Sequence, residues 1–250
     1  RTGEFCEFKH IENRSENLAS VAKSLKRLRD LLNANITDVT CCRWVTLTYA
    51  ENMTDPKKLQ YDFKNFNDRC RKIFGHYEYI TAAEPQGRGA WHLHCVFIFQ
   101  SKAPYMENAV VRECWKKGFV TVKRLDDVDN VGAYLTAYLG DMELTEATEA
   151  GISVHTTKGI KEVEYQDENG EKQTKKYIKG ARLYMYPPGF NLYRKSKGIV
   201  NPTVSVVPYE MAKEKASSAK LTFSKTIRLD DEESAFQNTL QYEYYNTIRK

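Results

Sequence analysis

His92 and His94, in the stretch Trp91-His92-Leu93-His94-Cys95, are spaced to act together. Side chains alternate along a β-strand, so residues i and i+2 share a face and the two imidazoles become neighbours. Side by side in an otherwise apolar strand, two protonated imidazoles repel, whereas two neutral ring nitrogens can converge on a divalent cation. Standing alone, the pair reads either as two ligands or as a hydrogen-bonded surface pair. Glu84 adds a carboxylate if the loop Pro85-Gln-Gly-Arg-Gly-Ala90 folds it back opposite His92 or His94. That needs a loop of about seven residues or a bulge, because of the alternation. Gln86 is the substitute ligand if the geometry fails. A Glu-His-His set leaves positions open for water or a phosphate oxygen. Mixed N/O ligation without thiolate suits Mn²⁺ or Mg²⁺, and the spacing by itself also permits Zn²⁺.

Tyr134 and Tyr138, in Tyr134-Leu-Thr-Ala-Tyr138, form a second constellation. At i and i+4 of a helix they share a face one turn apart. The plain reading is a pair of core-packing aromatics. The chemical reading is a nucleophile: a phenol, with a reference pKa of about 10, is weak near neutrality. It becomes effective against a phosphate already polarised by a metal.

Charge is unevenly spread. The chain of 250 residues carries 38 Lys+Arg against 33 Asp+Glu, a formal +5. Residues 172–197 hold eight cations and no acid, which leaves the rest of the chain at −3. They are Lys172, Lys175, Lys176, Lys179, Arg182, Arg194, Lys195 and Lys197, interleaved with Tyr177, Tyr184, Tyr186, Phe190 and Tyr193. Cations match backbone phosphates and aromatic faces stack on unpaired bases, so this composition suits single-stranded nucleic acid. The alternative is a solvated hairpin whose aromatics face a core.

These residues need elements to position them. Residues 15–33 read as an amphipathic helix with Leu18, Val21, Ala22, Leu25, Leu28 and Leu32 in one stripe. Residues 43–50 are β-branched and aromatic, a strand signal. Asp55-Pro56 then caps a helix to about Phe74, with Leu59, Phe63, Phe66, Cys70 and Ile73 inward and Gly75 as its stop. Strands are expected at 76–84 and 91–100, a helix at 106–117, a strand at 119–123 and a helix at 130–139. The resulting β-α-β-β-α-β-α order specifies an α+β fold, a central antiparallel sheet with flanking helices. Further on, 163–165 and 175–178 suggest a hairpin around the turn at 167–170. Residues 184–186 and 204–207 look extended, 210–219 helical, and the acidic run 230–233 precedes Tyr242–Tyr245, a β-rich extension. The expected division is a helical arm (1–36), a core (37–145) and a basic, aromatic C-terminal extension (146–250).

Composition excludes several classes. Hydrophobic residues at 41% with 28% charged fit a folded protein rather than a disordered one. No apolar run approaches the roughly 20 residues of a membrane span, and residues 1–4 do not resemble a signal peptide. The six cysteines form no C-x-x-C pair. Cys6 and His10 make a half-site with no second pair nearby. A reducing, cytoplasmic setting without a membrane partner is expected.

Three segments in order carry a resemblance: Trp44-Val-Thr-Leu-Thr-Tyr49, Glu84-Pro-Gln-Gly-Arg-Gly-Ala-Trp-His-Leu-His94 and Asn130-Val-Gly-Ala-Tyr-Leu-Thr-Ala-Tyr138. Over about residues 18–141 the chain resembles the HUH endonuclease superfamily, with its ferredoxin/RRM-like core. More narrowly it is similar to phage- and plasmid-type rolling-circle replication initiators (Rep proteins), whose tyrosine motif follows the His motif. The resemblance implies a metal-dependent nickase and ligase of single-stranded DNA at a replication origin. His92, His94 and Glu84 would hold Mn²⁺ or Mg²⁺ against the scissile phosphate. Tyr134, then Tyr138, would attack to leave a 5′-phosphotyrosyl link, with Arg88 and the eight cations of 172–197 against DNA. Many relatives carry a lysine three residues after the nucleophile; Ala137 and Asp141 stand there in this chain, with Lys123 as a possible substitute cation. There is no G-x4-G-K-[ST], so a helicase would be a separate protein. A single-stranded transposase of the same superfamily and a non-catalytic origin-binding module are the rival readings.

Overall fold

Asn17 opens the first helix, α1 (Leu18–Asn35), by accepting the Ser20 amide at 3.0 Å. The computed structural model describes residues 11–125, 131–149, 159–166, 172–231 and 236–246. After α1 come β1 (Cys42–Thr48), α2 (Pro56–Phe74), β2 (Glu78–Pro85), β3 (Trp91–Ile98), α3 (Asn108–Trp115), β4 (Val120–Lys123) and α4 (Val131–Tyr138). The second helix begins as expected, with Asp55 accepting the Lys57 amide, proline in its first turn and Gly75 (φ 80) at its end. Then follow β5 (Met142–Glu143), α5 (Leu144–Glu149), β6 (Ile160–Gln166), β7 (Lys172–Ile178) and β8 (Tyr193–Lys195). The chain ends with α6 (Tyr209–Ala216), β9 (Lys220–Asp231) and β10 (Phe236–Asn246). It divides into two compact units, Arg1–Asn201 and Pro202–Lys250.

The first unit is α+β. Its main sheet has five strands in the order β4-β1-β3-β2-β8, every neighbouring pair antiparallel. A smaller sheet runs β5-β7-β6. Alternation gives the main sheet two unlike faces. One presents Val45, Leu47, Leu93, Cys95 and Phe97 to Phe63, Phe66 and Cys70 of α2 and Val111 and Trp115 of α3. Trp115 meets Tyr49 and Phe66 edge-on, at centroid separations of 4.9 and 5.8 Å. The other presents Trp44, Ile80, Ala82 and Val96 to Leu28, Leu31 and Leu32 of α1 and Val131 and Leu135 of α4. Gly132 lets α4 lie close on α1, because a Cβ there would fall 2.9 Å from the Arg29 carbonyl oxygen.

Some local expectations differ from the structure. Ala22 and Ile73 are exposed, on helices whose other stripe residues Leu28, Leu32, Phe66 and Cys70 are fully buried. Residues Leu183–Met185 form a 3-10 turn, not a strand. Gly180 (φ 72) starts it and Pro187-Pro188 follow, so the chain turns where aromatic content had suggested extension. Residues 204–207 form no strand. Cys41, Cys42, Cys70, Cys95 and Cys114 are free thiols. Cys6 and His10, and the hairpin tip 167–170, lie outside the described residues. Among the described residues no helix is long and apolar enough to cross a membrane.

In the second unit β9 and β10 form a long antiparallel ribbon. Its register puts Phe223, Ile227 and Leu229 on one face with Leu240, Tyr242 and Tyr244, and Ser224, Thr226 and Arg228 on the other with Thr239, Gln241 and Glu243. Lys213 of α6 reaches Tyr245 Oη at 2.6 Å and Glu243 Oε1 at 3.3 Å. None of the described residues of this unit is buried.

Gly118 is the position where the fold leaves least room. Its φ of +155° is combined with a Cβ position only 2.4 Å from both the Ala50 nitrogen and the Thr48 carbonyl oxygen. That contact lets β4 join β1 through the Thr48 and Ala50 amides, which bond the Phe119 and Lys117 carbonyls. Gly118→Ala is expected to cost at least about 1–3 kcal/mol from backbone strain, measured as a lowered urea midpoint. An unchanged midpoint would refute this account of the junction.

Candidate functional site

Cross-strand pairing lays the second face of the main sheet out in rows. The first row is Lys123, Trp44, Val96, Ile80 and Lys195, on β4, β1, β3, β2 and β8. The next is Thr121, Thr46, His94, Ala82 and Tyr193, and the third is Thr48, His92 and Glu84. The face therefore changes from apolar, where α1 and α4 cover it, to hydroxyl, imidazole and carboxylate over two residues of strand. Glu84 pairs directly with His92, leaving residues 85–91 between them, so the carboxylate and both imidazoles share one face.

The three groups interact. His94 Nε2 donates to Glu84 Oε2 at 2.9 Å, and the two imidazoles stack with centroids 4.6 Å apart. His94 also packs on Trp44, whose indole N–H donates to Thr46 Oγ1 at 2.9 Å. Thr48 Oγ1 lies 3.5 Å from His92 Nε2. His94 Nδ1 is buried with no hydrogen-bond partner. Burial, helped by His94 beside it, pushes the His92 pKa down to about 4, so its ring is neutral at physiological pH. Burial alone would raise the Glu84 pKa, but the His94 hydrogen bond and the Arg182 guanidinium outweigh it and hold the carboxyl below its ordinary value.

Arg182 comes from the basic segment, yet it faces inward. Its Nε lies 2.9 Å from Glu84 Oε1 and its Nη2 pairs with Glu146 Oε2. It also donates to the Asp141 carbonyl at 2.6 Å and the Pro85 carbonyl at 2.7 Å. Only 10% of the side chain is exposed, against 12% for Glu84. Burial disfavours the guanidinium, but Glu84 and Glu146 more than offset this and raise its pKa. Glu146 in turn accepts the Gly87 amide at 2.6 Å, so Arg182 and Glu146 tie the hairpin loop to α5. Neither Glu146 nor the inward role of Arg182 was legible in the sequence, where a cation among cations carries no sign of its partner.

The remaining candidate residues are dispersed. Arg88 holds the hairpin loop against the end of β1, donating to the Tyr49 carbonyl at 2.7 Å. Lys175 pairs with Glu143 at 3.1 Å and Lys176 with Glu162 at 3.2 Å. Lys179, Arg194 and Lys197 are exposed, while Lys195 donates to the Ile199 carbonyl at 2.8 Å. Arg194 pairs with Thr81 and so takes the sheet face opposite His92. The side chain of Lys172 lies outside the described residues. Tyr134 and Tyr138 lie one turn apart on α4; their side chains also lie outside what is described.

A cavity of about 460 Å³ opens over the His face. Thr46, Glu84, His94 and Thr121 form its floor, Leu135 of α4 and Leu139 just after it one wall, and Glu143, Glu146 and Arg182 another. Lys123 lines it as an exposed cation. The donor set fits a divalent cation in type: two neutral-capable imidazoles, one with an unused buried nitrogen, and a carboxylate. Among the described residues no three His, Cys, Asp or Glu side chains are already drawn into a ligand cluster. Glu84 would have to exchange its His94 bond for the ion.

Residues 42–143 match the family model of the replication-associated protein ORF2. The matched stretch runs from the first residue of β1 to the last of β5 and contains Glu84, His92, His94, Tyr134 and Tyr138. Over that stretch the chain is similar to proteins of DNA replication. No curated protein and no solved structure matches it.

Removing a buried partner strands the charge that remains. Arg182→Met leaves Glu84 and Glu146 uncompensated and should cost about 3–5 kcal/mol in urea unfolding. Adding Glu84→Gln to Arg182→Met should recover part of that loss, because one stranded charge is removed. Strict additivity of the two substitutions would contradict the coupling.

Proposed function

We propose that this protein nicks and rejoins single-stranded DNA at a replication origin, starting and ending rolling-circle replication. The carrying observation is the row Thr48, His92 and Glu84, with His94 beside it, inside the stretch similar to replication-associated proteins. Tyr134 or Tyr138 supplies the nucleophile from α4, the helix whose Leu135 walls the same cavity. Its phenol gives up its proton as the oxygen bonds to the scissile phosphorus and the P–O3′ bond breaks. The 5′-phosphate remains on tyrosine, and the 3′ oxygen takes up a proton to become the hydroxyl that primes synthesis. The second tyrosine repeats the step when the strand comes round. A divalent cation, Mn²⁺ or Mg²⁺, held by His92, His94 and Glu84, would polarise the scissile phosphate when bound. Trp44 and Thr48 hold the imidazoles in place, and Lys123 at the rim of the cavity offsets phosphate charge. Strand separation falls to a separate helicase, in the cytoplasm.

One observation favours a second reading, a non-catalytic origin-binding module of the HUH fold. Glu84 is engaged at both oxygens, by His94 and by Arg182, rather than left open. A denaturing-gel assay for covalent protein–DNA adducts separates the two. With single-stranded DNA from the parent replicon and Mn²⁺ or Mg²⁺, the adduct is expected to form, to vanish with EDTA or His92→Ala, and to be lost in Tyr134→Phe or Tyr138→Phe. Tight, salt-sensitive binding with no adduct under either metal would leave the binding module.

A further inference from the structure

A second concave surface lies at the edge of the main sheet, between β8 and the start of α1. It is a groove of about 520 Å³, and among the described residues no Asp or Glu lines it. Five cations do: Arg14, Lys23 and Arg27 from the N-terminal side, and Arg194 and Lys195 from β8. None of the five is ion-paired with a described carboxylate, although α1 does pair Lys26 with Asp30 just outside the groove. Lys23, Arg27 and Arg194 are exposed. Arg14 is the more telling, because its Nε is buried without a hydrogen-bond partner and its Nη1 only reaches Ser20 Oγ at 3.5 Å. A guanidinium has five N–H donors, and this one is largely unspent.

The sheet relates the groove to the candidate site. Tyr193, which lines it, pairs with Ala82, two residues before Glu84 on β2. At ~3.4 Å per residue the two ends of that step are about 7 Å apart along the strand. Phe190, on the other wall, stacks at 4.5 Å on Trp91, which alternation places on the sheet face opposite His92. Because β8 is an edge strand, side chains from both of its faces reach the groove.

We infer that this groove binds single-stranded DNA flanking the scissile phosphate, its cations following the backbone and Tyr193 and Phe190 offering rings to unpaired bases. Five cations with no counter-charge among the described residues repel one another, and a polyanion relieves that repulsion along the whole groove, releasing its own counterions. Aromatic rings among the cations favour a single strand over a duplex, whose bases are already stacked. The inference rests on the reading of the protein as one that acts on DNA, but not on the tyrosine chemistry. Arg14, Lys23 and Arg27 lie outside the stretch matched to the replication-associated family, so they are a feature of this chain beyond that match.

The test is fluorescence anisotropy of a thymidine 30-mer with the full chain, in EDTA, across a range of NaCl. Lys23→Gln with Arg27→Gln removes two exposed cations from the groove; Lys72→Gln with Lys102→Gln removes two exposed cations elsewhere. The groove pair is expected to weaken binding about tenfold and to flatten the salt slope by about 1.4, the value for two single-strand phosphate contacts. The control pair should change neither by as much. Equal losses in the two pairs, or a duplex bound as tightly and with the same dependence on Lys23 and Arg27, would overturn the inference. If the wild type makes no adduct but the groove pair still loses binding, tyrosine chemistry fails and the groove stands; the converse pattern removes the groove and leaves the chemistry.

Discussion

The antiparallel register between β2 and β3 is the constraint on which the candidate site depends. Because Glu84 stands opposite His92, the carboxylate and both imidazoles share a face. A slip of one residue would send Glu84 to the face filled by α2 and α3, where a carboxylate has no partner. The register is held from both ends. Beyond the loop, Trp91 donates its backbone N–H to the Met53 carbonyl and its indole N–H to the Thr54 carbonyl. At the far end Ile80, Ala82, Val96 and Phe97 are fully buried in alternating layers, which no shifted pairing preserves. The apolar cores thus specify the alignment of polar residues they do not touch.

Arg182 converts that alignment into an electrostatic arrangement. A carboxylate beside two imidazoles at the border of an apolar core would be desolvated and raised in pKa. The His94 hydrogen bond and the guanidinium at 2.9 Å together reverse the direction, and Glu146 balances the second charge of the fork. The cost is that Glu84 is not idle. In the proposed reading a divalent cation would compete with His94 for one Glu84 oxygen while Arg182 keeps the other.

Most of the fold was legible because its signals are periodic and local. The Asp55-Pro56 start, the Gly75 stop and the alternation around His92 each depend on neighbours in sequence, and the β-α-β-β-α-β-α order followed. The shared face of His92 and His94 needed only strand alternation, and Glu84 needed only the loop length. The role of Arg182 was not legible. It stands 98 residues from Glu84, in a segment whose composition speaks for solvent and phosphate. The same composition argument treated 172–197 as a single surface, but the topology disperses it: Lys175 and Lys176 go to ion pairs on the small sheet, Arg182 to the interior, and Arg194 and Lys195 to an edge. Aromatic content likewise suggested extension at 184–186, where glycine and paired prolines make a turn.

The division between what resembles replication-associated proteins and what does not follows a physical line. Within residues 42–143 lie the strands that carry the imidazoles and Glu84 and the helix that carries both tyrosines, all needed to hold reactive groups at fixed separations. Outside it lie Arg182, which sets the charge around those groups, and α1 and β8, which in the proposed reading would set the path of a DNA strand toward them. Chemistry at a phosphodiester is the same for every DNA, so its geometry tolerates little variation. The flanking strand differs from one origin to another, and contacts to it are a matter of charge and stacking, which many surfaces can supply. A helix laid across one sheet face through Gly132, and an edge strand added to β2, meet that need without disturbing the register of β2 and β3.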